Sequence, residues 1–542
     1  MVASKKSSNF LVQGSILAIA SIISRIIGLI YRVPLNAIIG DEGMGYYSNA
    51  YSIYNLGLII SSYSLPLAVS KLVAARSIKK EYKNSYRIFI CALSFAVIVG
   101  LVVSLIIYFG AEFFAITIFK TPRSAIPLKV LAPTIFVFAI MGVLRGFYQG
   151  KNTMIPTSIS QLLEQIVNAV VSVVAASILM NRYSVSEDIA AYGAAGGTLG
   201  TLIGTLVALI FLGFIFALYK PVLDKQLRRD KDENKETMNE ILPILLITII
   251  PVVLGQTVYQ LSSVIDGSLF GHIMESKGFD EDIRAKLYGI YTNKYNLLIN
   301  VPVSIASAMA VAIIPSIVAS KTKGYMHEVK QKVHSAVKFN MLIAIPSSVG
   351  MAVLASPILQ LLFGDSRELP ANLIRYGSIA IIFYALSTIT NAILQGINQM
   401  RLPVIHSTIS LGVHVVIVFV LLKFTNLDTY ALVIGNVTFA LLVCILNWIS
   451  VAKYLNYKQE VIKTFLIPLA CSLVMGVFTF LSYKGVYELI NRNSIATIIS
   501  LLVSVLIYGV LLIVTRGITE EELYEIPKGR YLVSILKKLH LI

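Results

Sequence analysis

Long apolar runs, separated by short polar segments, fill almost the whole chain. Each run can cross a hydrocarbon core of about 30 Å at about 1.5 Å per residue, the longer runs with tilt or a break. This pattern predicts about fourteen membrane spans, at residues 11–39, 45–70, 88–110, 125–149, 154–180, 189–219, 241–270, 286–318, 336–362, 372–396, 403–424, 428–452, 461–483 and 494–515. Of the 542 residues 56% are hydrophobic and 13% are charged, and the mean hydropathy is +0.79. We therefore expect an all-α integral membrane protein.

The first apolar run, Phe10 to Ile39, contains two arginines, Arg25 and Arg32. An arginine at the centre of a membrane helix costs roughly 2.5–3.5 kcal/mol on insertion scales. Seven residues at about 100° each return nearly to the starting direction, so both side chains leave one face, about 10 Å apart along the axis. We expect this face to line a water-filled cavity that admits an anionic group, such as a pyrophosphate carrying sugars. The run is too long for a cleaved signal peptide and is expected to remain as helix one.

The composition changes sharply at residues 221–240, of which 11 are charged. On either side of this segment, residues 149–154 and 395–400 share the pattern Gln-Gly-x-Asn-x-Met, and Tyr47 with Tyr54-Asn55-Leu56 resembles Tyr288 with Tyr295-Asn296-Leu297. Two repeats with the same topology predict two pseudo-symmetric six-helix lobes, related by an axis along the membrane normal, with the substrate between them. The predicted organisation is therefore an N-lobe (1–220), a charged cytoplasmic linker (221–240), a C-lobe (241–453), two additional helices (454–515) and a cytoplasmic amphipathic tail (516–542).

A stripe of polar residues follows the predicted span 154–180. Its members, at positions i, i+3, i+4, i+7 and i+11, are Gln161, Glu164, Gln165, Asn168 and Ser172. They share one helix face, and because polar groups are costly in lipid, that face must meet protein or water. Two interpretations of Glu164 are open. It balances the arginines or takes up a proton or cation during a transport cycle, or it belongs to a permanent structural ion pair.

Two more charged residues fall inside predicted spans. Lys294 on helix eight either gives the second lobe its own basic cavity group or extends outward to the membrane surface. Asp266, near the outer end of helix seven, is either an interfacial or paired residue or a second group that acts directly in transport.

The net charge of +17 is explained by topology. With the N-terminus inside, most of the 45 Lys and Arg residues lie on the cytoplasmic side, so the positive-inside rule predicts that both termini are cytoplasmic. The partners of the basic loops are then anionic membrane lipids rather than nucleic acid. The three cysteines lack metal-ligand spacing, and the sequence has no P-loop or hydrolase motif. We predict no metal, no cofactor and no enzyme activity.

Several short motifs resemble the SpoVB/YtgP branch of polysaccharide-type transporters. This branch belongs to the MOP superfamily, which also contains the MATE exporters, the oligosaccharide-lipid flippases and the MurJ-type lipid II flippases. The motifs are Ser24-Arg25-Ile26-Ile27-Gly28, Gly43-Met44-Gly45-Tyr46-Tyr47, Arg145-Gly146-Phe147-Tyr148-Gln149-Gly150, Pro156-Thr157, Ser160-Gln161 with Glu164-Gln165, and Ile526-Pro527-Lys528-Gly529. The resemblance implies fourteen helices, in two six-helix lobes plus two. It also implies a flippase for an undecaprenyl-pyrophosphate-linked saccharide, with lipid II as the leading candidate, in the bacterial plasma membrane, for peptidoglycan synthesis in growth or sporulation.

The resemblance also carries residue roles. Arg25 matches the arginine of the family's Ser-Arg motif and is expected to contact the pyrophosphate, while Arg32 and Lys294 lie near further basic positions. Asn49 stands where many MurJ-type proteins have an acid, and Asn168 where a base is expected. The candidate substrate-binding residues are Arg25, Arg32, Lys294, Glu164, Gln161, Gln165, Asn49 and Asn168, and the candidates for coupling to an ion or to the membrane potential are Glu164 and Asp266.

Other functions remain open on the sequence. The chain could carry another lipid-linked oligosaccharide, and cell-wall synthesis proteins are further candidate partners. A MATE-like exporter of cationic drugs is the main alternative, but it would favour acidic groups in the first helix, which here is basic. A membrane-embedded enzyme would need catalytic groups at a membrane face, and a sporulation scaffold would tolerate loss of the cavity charges.

Overall fold

The computed structural model describes residues 16–17, 19–230 and 236–520, and all regular secondary structure within them is helical. The helices are α1 (Ile19–Ile30), α2 (Arg32–Leu58), α3 (Leu65–Ile78), α4 (Tyr82–Phe109), α5 (Ala111–Phe113), α6 (Ala125–Gly150), α7 (Ile155–Arg182), α8 (Ile189–Arg229), α9 (Met238–Ser276), α10 (Glu281–Ile290), α11 (Asn296–Thr322), α12 (Met326–Val353), α13 (Ala355–Phe363), α14 (Glu368–Gly377), α15 (Ala380–Gly396), α16 (Arg401–Phe424), α17 (Thr429–Leu455), α18 (Ile467–Ile490) and α19 (Asn493–Val514). Short π-helical segments occur at Ile59–Tyr63, Phe114–Ile118, Tyr291–Tyr295 and Ile462–Leu466, and a 3₁₀ turn at Pro122–Ser124.

Among the described residues, 11 helical stretches are long and apolar enough to span a membrane, or 12 if α14 and α15, which are bent by 43°, form one span. The prediction of an all-α multi-pass membrane protein is confirmed, and the count of fourteen spans stays a prediction. The start of the first predicted span and most of the predicted tail, at residues 1–15 and 521–542, lie outside the described residues.

A single glycine breaks the helical path between the first two predicted spans. Gly40 interrupts α2 with φ 68° and ψ 178°, a conformation that is essentially restricted to glycine. On the N-terminal side, the helical hydrogen bonds continue from α1 into α2, because the Tyr31 amide donates to the Ile27 carbonyl at 3.2 Å and the Leu35 amide donates to the Tyr31 carbonyl at 3.1 Å. Arg25 and Arg32 therefore lie on one continuous helical path.

Small residues hold α7 against α8. A Cβ atom added at Gly196, Gly200 or Gly204 would lie 2.5, 2.1 or 2.6 Å from atoms of α7. Glycines four residues apart let two helix backbones approach closely, as in the small-xxx-small packing of membrane helices. This contact fixes the direction in which the polar stripe of α7 points.

Two helices extend into the predicted linker, residues 221–240. Helix α8 continues through Pro221 to Arg229, and α9 begins at Met238. Hydropathy locates the edge of the membrane rather than the end of a helix, and Lys, Arg, Gln and Leu are good helix formers in water. At the ends of the linker, Asp230 Oδ2 accepts from the Lys83 amide at 2.7 Å, and Glu236 forms an ion pair with Arg76 at 2.7 Å.

The two copies of the Gln-Gly-x-Asn-x-Met motif form the same turn. Asn152 and Asn398 both have positive φ, at 57° and 63°. In each copy, three successive amides donate to the carbonyls four, three and five residues earlier, beginning at Lys151 and at Ile397. This is a Schellman-type helix end with Asn in the left-handed position. The repeat found in the sequence therefore has a local structural counterpart.

The chain forms two compact units, Met1–Asn293 and Lys294–Ile542. An aromatic cluster lies in the core of the first unit, where the rings of Phe89 and Phe147 are 4.7 Å apart. In the second unit α12 packs against α15, and the Asn340 amide donates to the Ala385 carbonyl at 2.8 Å. The lobe boundaries predicted around the linker stay predictions.

Candidate functional site

The polar stripe of α7 divides between two neighbouring helices. Towards α1, Gln161 Oε1 accepts from the Ser21 hydroxyl at 3.2 Å, and a Cβ atom at Gly28 would lie 3.5 Å from Gln165 Oε1. Towards α8, Asn168 Oδ1 accepts from Ser172 at 3.0 Å and from Thr201 at 3.4 Å. The stripe thus faces protein, and its two glutamines lie beside the arginine-bearing helix. Asn168, a predicted substrate-binding residue, joins α7 to α8.

Arg25 and Arg32 differ in their surroundings. Arg25 is exposed, and within residues 16–17, 19–230 and 236–520 it has no hydrogen bond or ion pair. Arg32 is half-buried, with its guanidinium carbon 5.9 Å from the ring centroids of both Tyr47 and Tyr51, which are stacked 5.4 Å apart. A cation–π contact positions a guanidinium without neutralising it. Two basic groups without a carboxylate partner in the described chain thus lie along this helix.

Glu164 pairs with a different arginine. Arg145 Nη2 lies 2.8 Å from Glu164 Oε2, and Arg145 Nε donates to the Ser160 hydroxyl at 2.9 Å. Only 8% of the Arg145 side chain and 12% of the Glu164 side chain are exposed. The geometry is that of an ion pair between α6 and α7, so the Glu164 charge is compensated locally and not by Arg25 or Arg32.

Asn49 and Asp266 are buried in the first unit. The Asn49 amide donates to the Thr121 hydroxyl at 3.0 Å, and its Oδ1 is buried with no hydrogen-bond partner in the part of the chain that the structure describes. Asp266 is 5% exposed and has a partner within the protein. Asn49 therefore ties α2 to the turn before α6.

The chain matches two protein families. Residues 11–321 match the family described as polysaccharide biosynthesis protein, and residues 251–420 match MatE. The first match covers more than half of the chain. This protein belongs to the polysaccharide biosynthesis protein family.

Comparison with individual proteins shows which members of this family the chain resembles. It is 26% identical to the lipid II flippase MurJ of Bacillus subtilis (strain 168), over 87% of this chain and 88% of that protein. It is 26% identical to the stage V sporulation protein B of the same organism, over 96% of this chain and 98% of that protein. A solved structure titled as the lipid II flippase MurJ in an inward closed conformation has the same fold, with a TM-score of 0.67 and 16% identity over 91% of this chain and 97% of the other. The protein is thus a MurJ/SpoVB-like member of the MOP superfamily, a transport protein and not an enzyme.

In this MurJ/SpoVB-like protein, Lys294, the basic residue within the predicted span 286–318, is paired. Lys294 Nζ lies 2.6 Å from Asp365 Oδ2, and only 3% of the Lys294 side chain is exposed. Arg367 also bonds Asp365, from Nε at 2.8 Å and from Nη2 at 2.7 Å. Burial by itself would raise the pKa of Asp365, but the hydrogen bonds from Arg367 and Lys294 hold it well below its usual range. Sequence reasoning did not predict this partner.

We expect Asp365→Ala to destabilise the protein strongly, because it removes the carboxylate beside a buried ammonium. Breaking such a pair costs about 3–5 kcal/mol. Arg367→Ala, whose side chain is 43% exposed, should change stability by only about 0–1 kcal/mol. The measurement is thermal stability of the purified protein in detergent.

The same pair gives a pH prediction. A carboxylate whose pKa is lowered on folding stabilises the folded state at pH values above about 3.9, which is its pKa in the unfolded chain. This stabilisation is lost only as the pH falls from there towards the pKa in the folded state. The stability difference between wild type and Asp365→Ala should therefore stay constant from pH 8 to pH 5. Equal stability of the two proteins would contradict the assigned contact.

The middle of α2, just after Gly40, meets α10 in direct backbone contact on the side that is predicted to face outside. A Cβ atom at Gly45 would lie 2.0 Å from the Ala285 carbonyl oxygen, and one at Gly289 would lie 1.9 Å from the Asp41 carbonyl oxygen. Both separations are far below van der Waals contact. Glycine at these two positions is therefore required for the observed approach of the two helices.

A polar cluster surrounds this contact in the first unit. Arg123 Nε lies 2.7 Å from Asp188 Oδ1, and the same guanidinium also contacts Asp282. The backbone amide of Arg123 donates to Glu281 Oε1 at 3.0 Å. The Tyr46 hydroxyl donates to Asp282 at 3.3 Å. One guanidinium thus links three polar segments at the predicted outer end. Sequence reasoning missed Arg123 because it lies in a short loop without periodic pattern.

Arg145 and the glycines of α8 could have been found from the sequence. Arg145 lies inside the predicted span 125–149, so the insertion cost that marked Arg25 applied to it as well. Gly196, Gly200 and Gly204 have the four-residue spacing of close helix packing. Asp365 follows a short helix in a polar segment and gave no such signal.

Proposed function

We propose that this protein is a flippase that moves an undecaprenyl-pyrophosphate-linked cell-wall precursor, with lipid II as the leading candidate, from the inner to the outer leaflet of the bacterial plasma membrane. The observation that carries the proposal is the pair of arginines on the first helical path, which have no carboxylate partner within the described residues. The name of one relative, lipid II flippase MurJ, supports the same substrate class.

Arginine suits this substrate because its planar guanidinium makes bidentate hydrogen bonds to phosphate. In the proposed mechanism, Arg25 contacts the pyrophosphate. Arg32 lies against the stacked rings of Tyr47 and Tyr51 and contacts the pyrophosphate from there. Gln161 and Gln165, beside α1, offer amide groups to the sugars. The polyprenyl tail stays in lipid while the charged headgroup crosses in the cavity.

Transport proceeds by alternating access of two lobes. The backbone contact at Gly45 and Gly289 closes the predicted outer end in one state, and its separation releases the headgroup outside. A substrate or ion drives this change only if it binds the two states differently. Glu164 and Asp266 are the residues through which an ion or the membrane potential would act, and both termini lie in the cytoplasm.

The test is complementation of a bacterium depleted of its lipid II flippase, at matched membrane abundance. Wild type should rescue growth, and Arg25→Ala and Arg32→Ala should fail. Arg25→Lys and Arg32→Lys should rescue only in part, because lysine keeps the charge but loses the fork of donors. Arg182→Ala, an exposed arginine at the end of α7, is the matched control and should rescue fully.

Three other outcomes would contradict parts of this proposal. If well-expressed wild type does not rescue, lipid II is not the substrate, and strains that lack flippases for other lipid-linked saccharides are tested next. If wild type instead confers resistance to cationic drugs, the protein is a MATE-like exporter. If both alanine variants rescue as well as wild type, the arginines do not bind the substrate.

A further inference from the structure

A second cationic site lies in the unit Lys294–Ile542, where the start of α12 meets the turn after α17. It is a cavity of about 560 Å³, and its basic lining residues are His327, Lys330, His334 and Lys458. The first three fall at i, i+3 and i+7 of α12, so they share one helix face. In the part of the chain that the structure describes, no carboxylate lines the cavity.

The nearby acidic residues are engaged elsewhere. Glu328 pairs with Lys332 at 2.8 Å. Glu460 accepts from the Lys463 amide at 2.7 Å and from the Thr464 hydroxyl at 3.3 Å. The N-terminal end of a helix carries a partial positive charge, and His327 is in the first turn of α12, so the helix dipole adds to the positive field of the cavity.

Aromatic residues of the kind that favour a membrane surface lie at the cavity. Tyr457 lines the cavity, and its ring lies edge to face against Trp448, with the centroids 6.4 Å apart. Trp and Tyr favour the membrane–water interface, where an apolar ring and a polar tip are both accommodated. Helices α12 and α17, whose ends form the cavity, are both candidate membrane spans.

We propose that this cavity binds the phosphate of an anionic phospholipid headgroup from the leaflet at its own end of the protein. Lysine ammonium and imidazole N–H groups donate charge-assisted hydrogen bonds to a phosphodiester. Basic pockets between membrane helices on the cytoplasmic side are suited to such headgroups. Gln331, Ser335 and Asn456, which also line the cavity, offer polar contacts to the rest of the headgroup. This assignment does not depend on the substrate proposed for the first site.

Trp448 is the only tryptophan in the chain and serves as a built-in reporter. The full-length protein is purified in a non-ionic detergent and titrated with dioctanoyl phosphatidylglycerol while the tryptophan emission is followed. A saturable change is expected. Dioctanoyl phosphatidylcholine and inorganic phosphate at the same concentrations should give none. Native mass spectrometry of the same samples should show one retained phosphatidylglycerol.

A paired variant tests the assigned residues. Lys330→Gln with Lys458→Gln should weaken phosphatidylglycerol binding about thirtyfold, because each lysine near an anionic lipid surface contributes about a fivefold factor and the two factors multiply. Lys323→Gln with Lys453→Gln removes the same charge from exposed lysines outside the cavity and should change binding less than twofold.

Three results would overturn the proposal. The first is the absence of a saturable response to phosphatidylglycerol. The second is equal weakening by both double variants, which would mean general attraction to a basic surface. The third is saturation by inorganic phosphate where phosphatidylglycerol gives no response, which would make the ligand a soluble phosphate rather than a lipid.

Discussion

Gly45→Val and Gly289→Val will each abolish transport while leaving the protein in the membrane. The added side chains would overlap backbone oxygens at 2.0 and 1.9 Å, and backbone atoms cannot move aside as a flexible side chain can. Overpacking of this kind costs about 1–3 kcal/mol or more, so the ratio of closed to open outer ends should fall by a factor of about 5 to about 150 or more. The measurement is rescue of flippase-depleted cells at matched abundance.

An accessibility measurement separates an open outer end from misfolding. Thr292 donates to the Ser48 hydroxyl at 2.9 Å inside the closed contact, so a cysteine placed at 292 should react slowly with an external thiol reagent in wild type and rapidly in Gly45→Val. The native cysteines, Cys91, Cys444 and Cys471, are buried and give little background. Gly412→Val is the control, since no atom lies within 4 Å of its added Cβ. Normal transport by Gly45→Val would show that this contact does not close during the cycle.

Glu164→Ala will cause the second large effect, a loss of stability of about 3–5 kcal/mol. It leaves the buried Arg145 guanidinium without its carboxylate and with the Ser160 hydroxyl as its remaining side-chain partner. Gln165→Ala, on the same helix, should change stability little. Thermal unfolding of the purified proteins in detergent measures both.

The double variant Arg145→Met with Glu164→Met distinguishes the two interpretations of Glu164. Replacing both members of a buried ion pair by apolar residues of similar size is often neutral or stabilising. If the pair is only structural, the double variant will regain both stability and transport. If Glu164 also takes up an ion, the double variant will be stable but inactive. Failure to regain stability would contradict the assignment of Arg145 as the compensating partner.

The candidate site could be predicted in part. The insertion cost of arginine identified Arg25 and Arg32, and the spacing of Gln161 and Gln165 correctly placed both on a face that meets protein. The roles assigned to these residues stay predictions. The same periodicity could not separate Gln165, which lies beside α1, from Asn168, which is bonded to Ser172 and Thr201. Neighbouring positions on one stripe contact different helices. Only the packing of α7 between α1 and α8 decides which helix each position contacts.

The sequence by itself determined the all-α membrane fold, the repeat at residues 149–154 and 395–400, and the helix that carries the basic groups. These properties depend on local periodicity and on the cost of placing charge in lipid, and both can be read along the chain. The tertiary structure alone decided which charges are compensated. Arg145 meets Glu164 and Lys294 meets Asp365 because helix packing brings these residues within hydrogen-bonding distance. A hydropathy pattern fixes the face on which a side chain lies, but it contains no information about which side chain stands opposite.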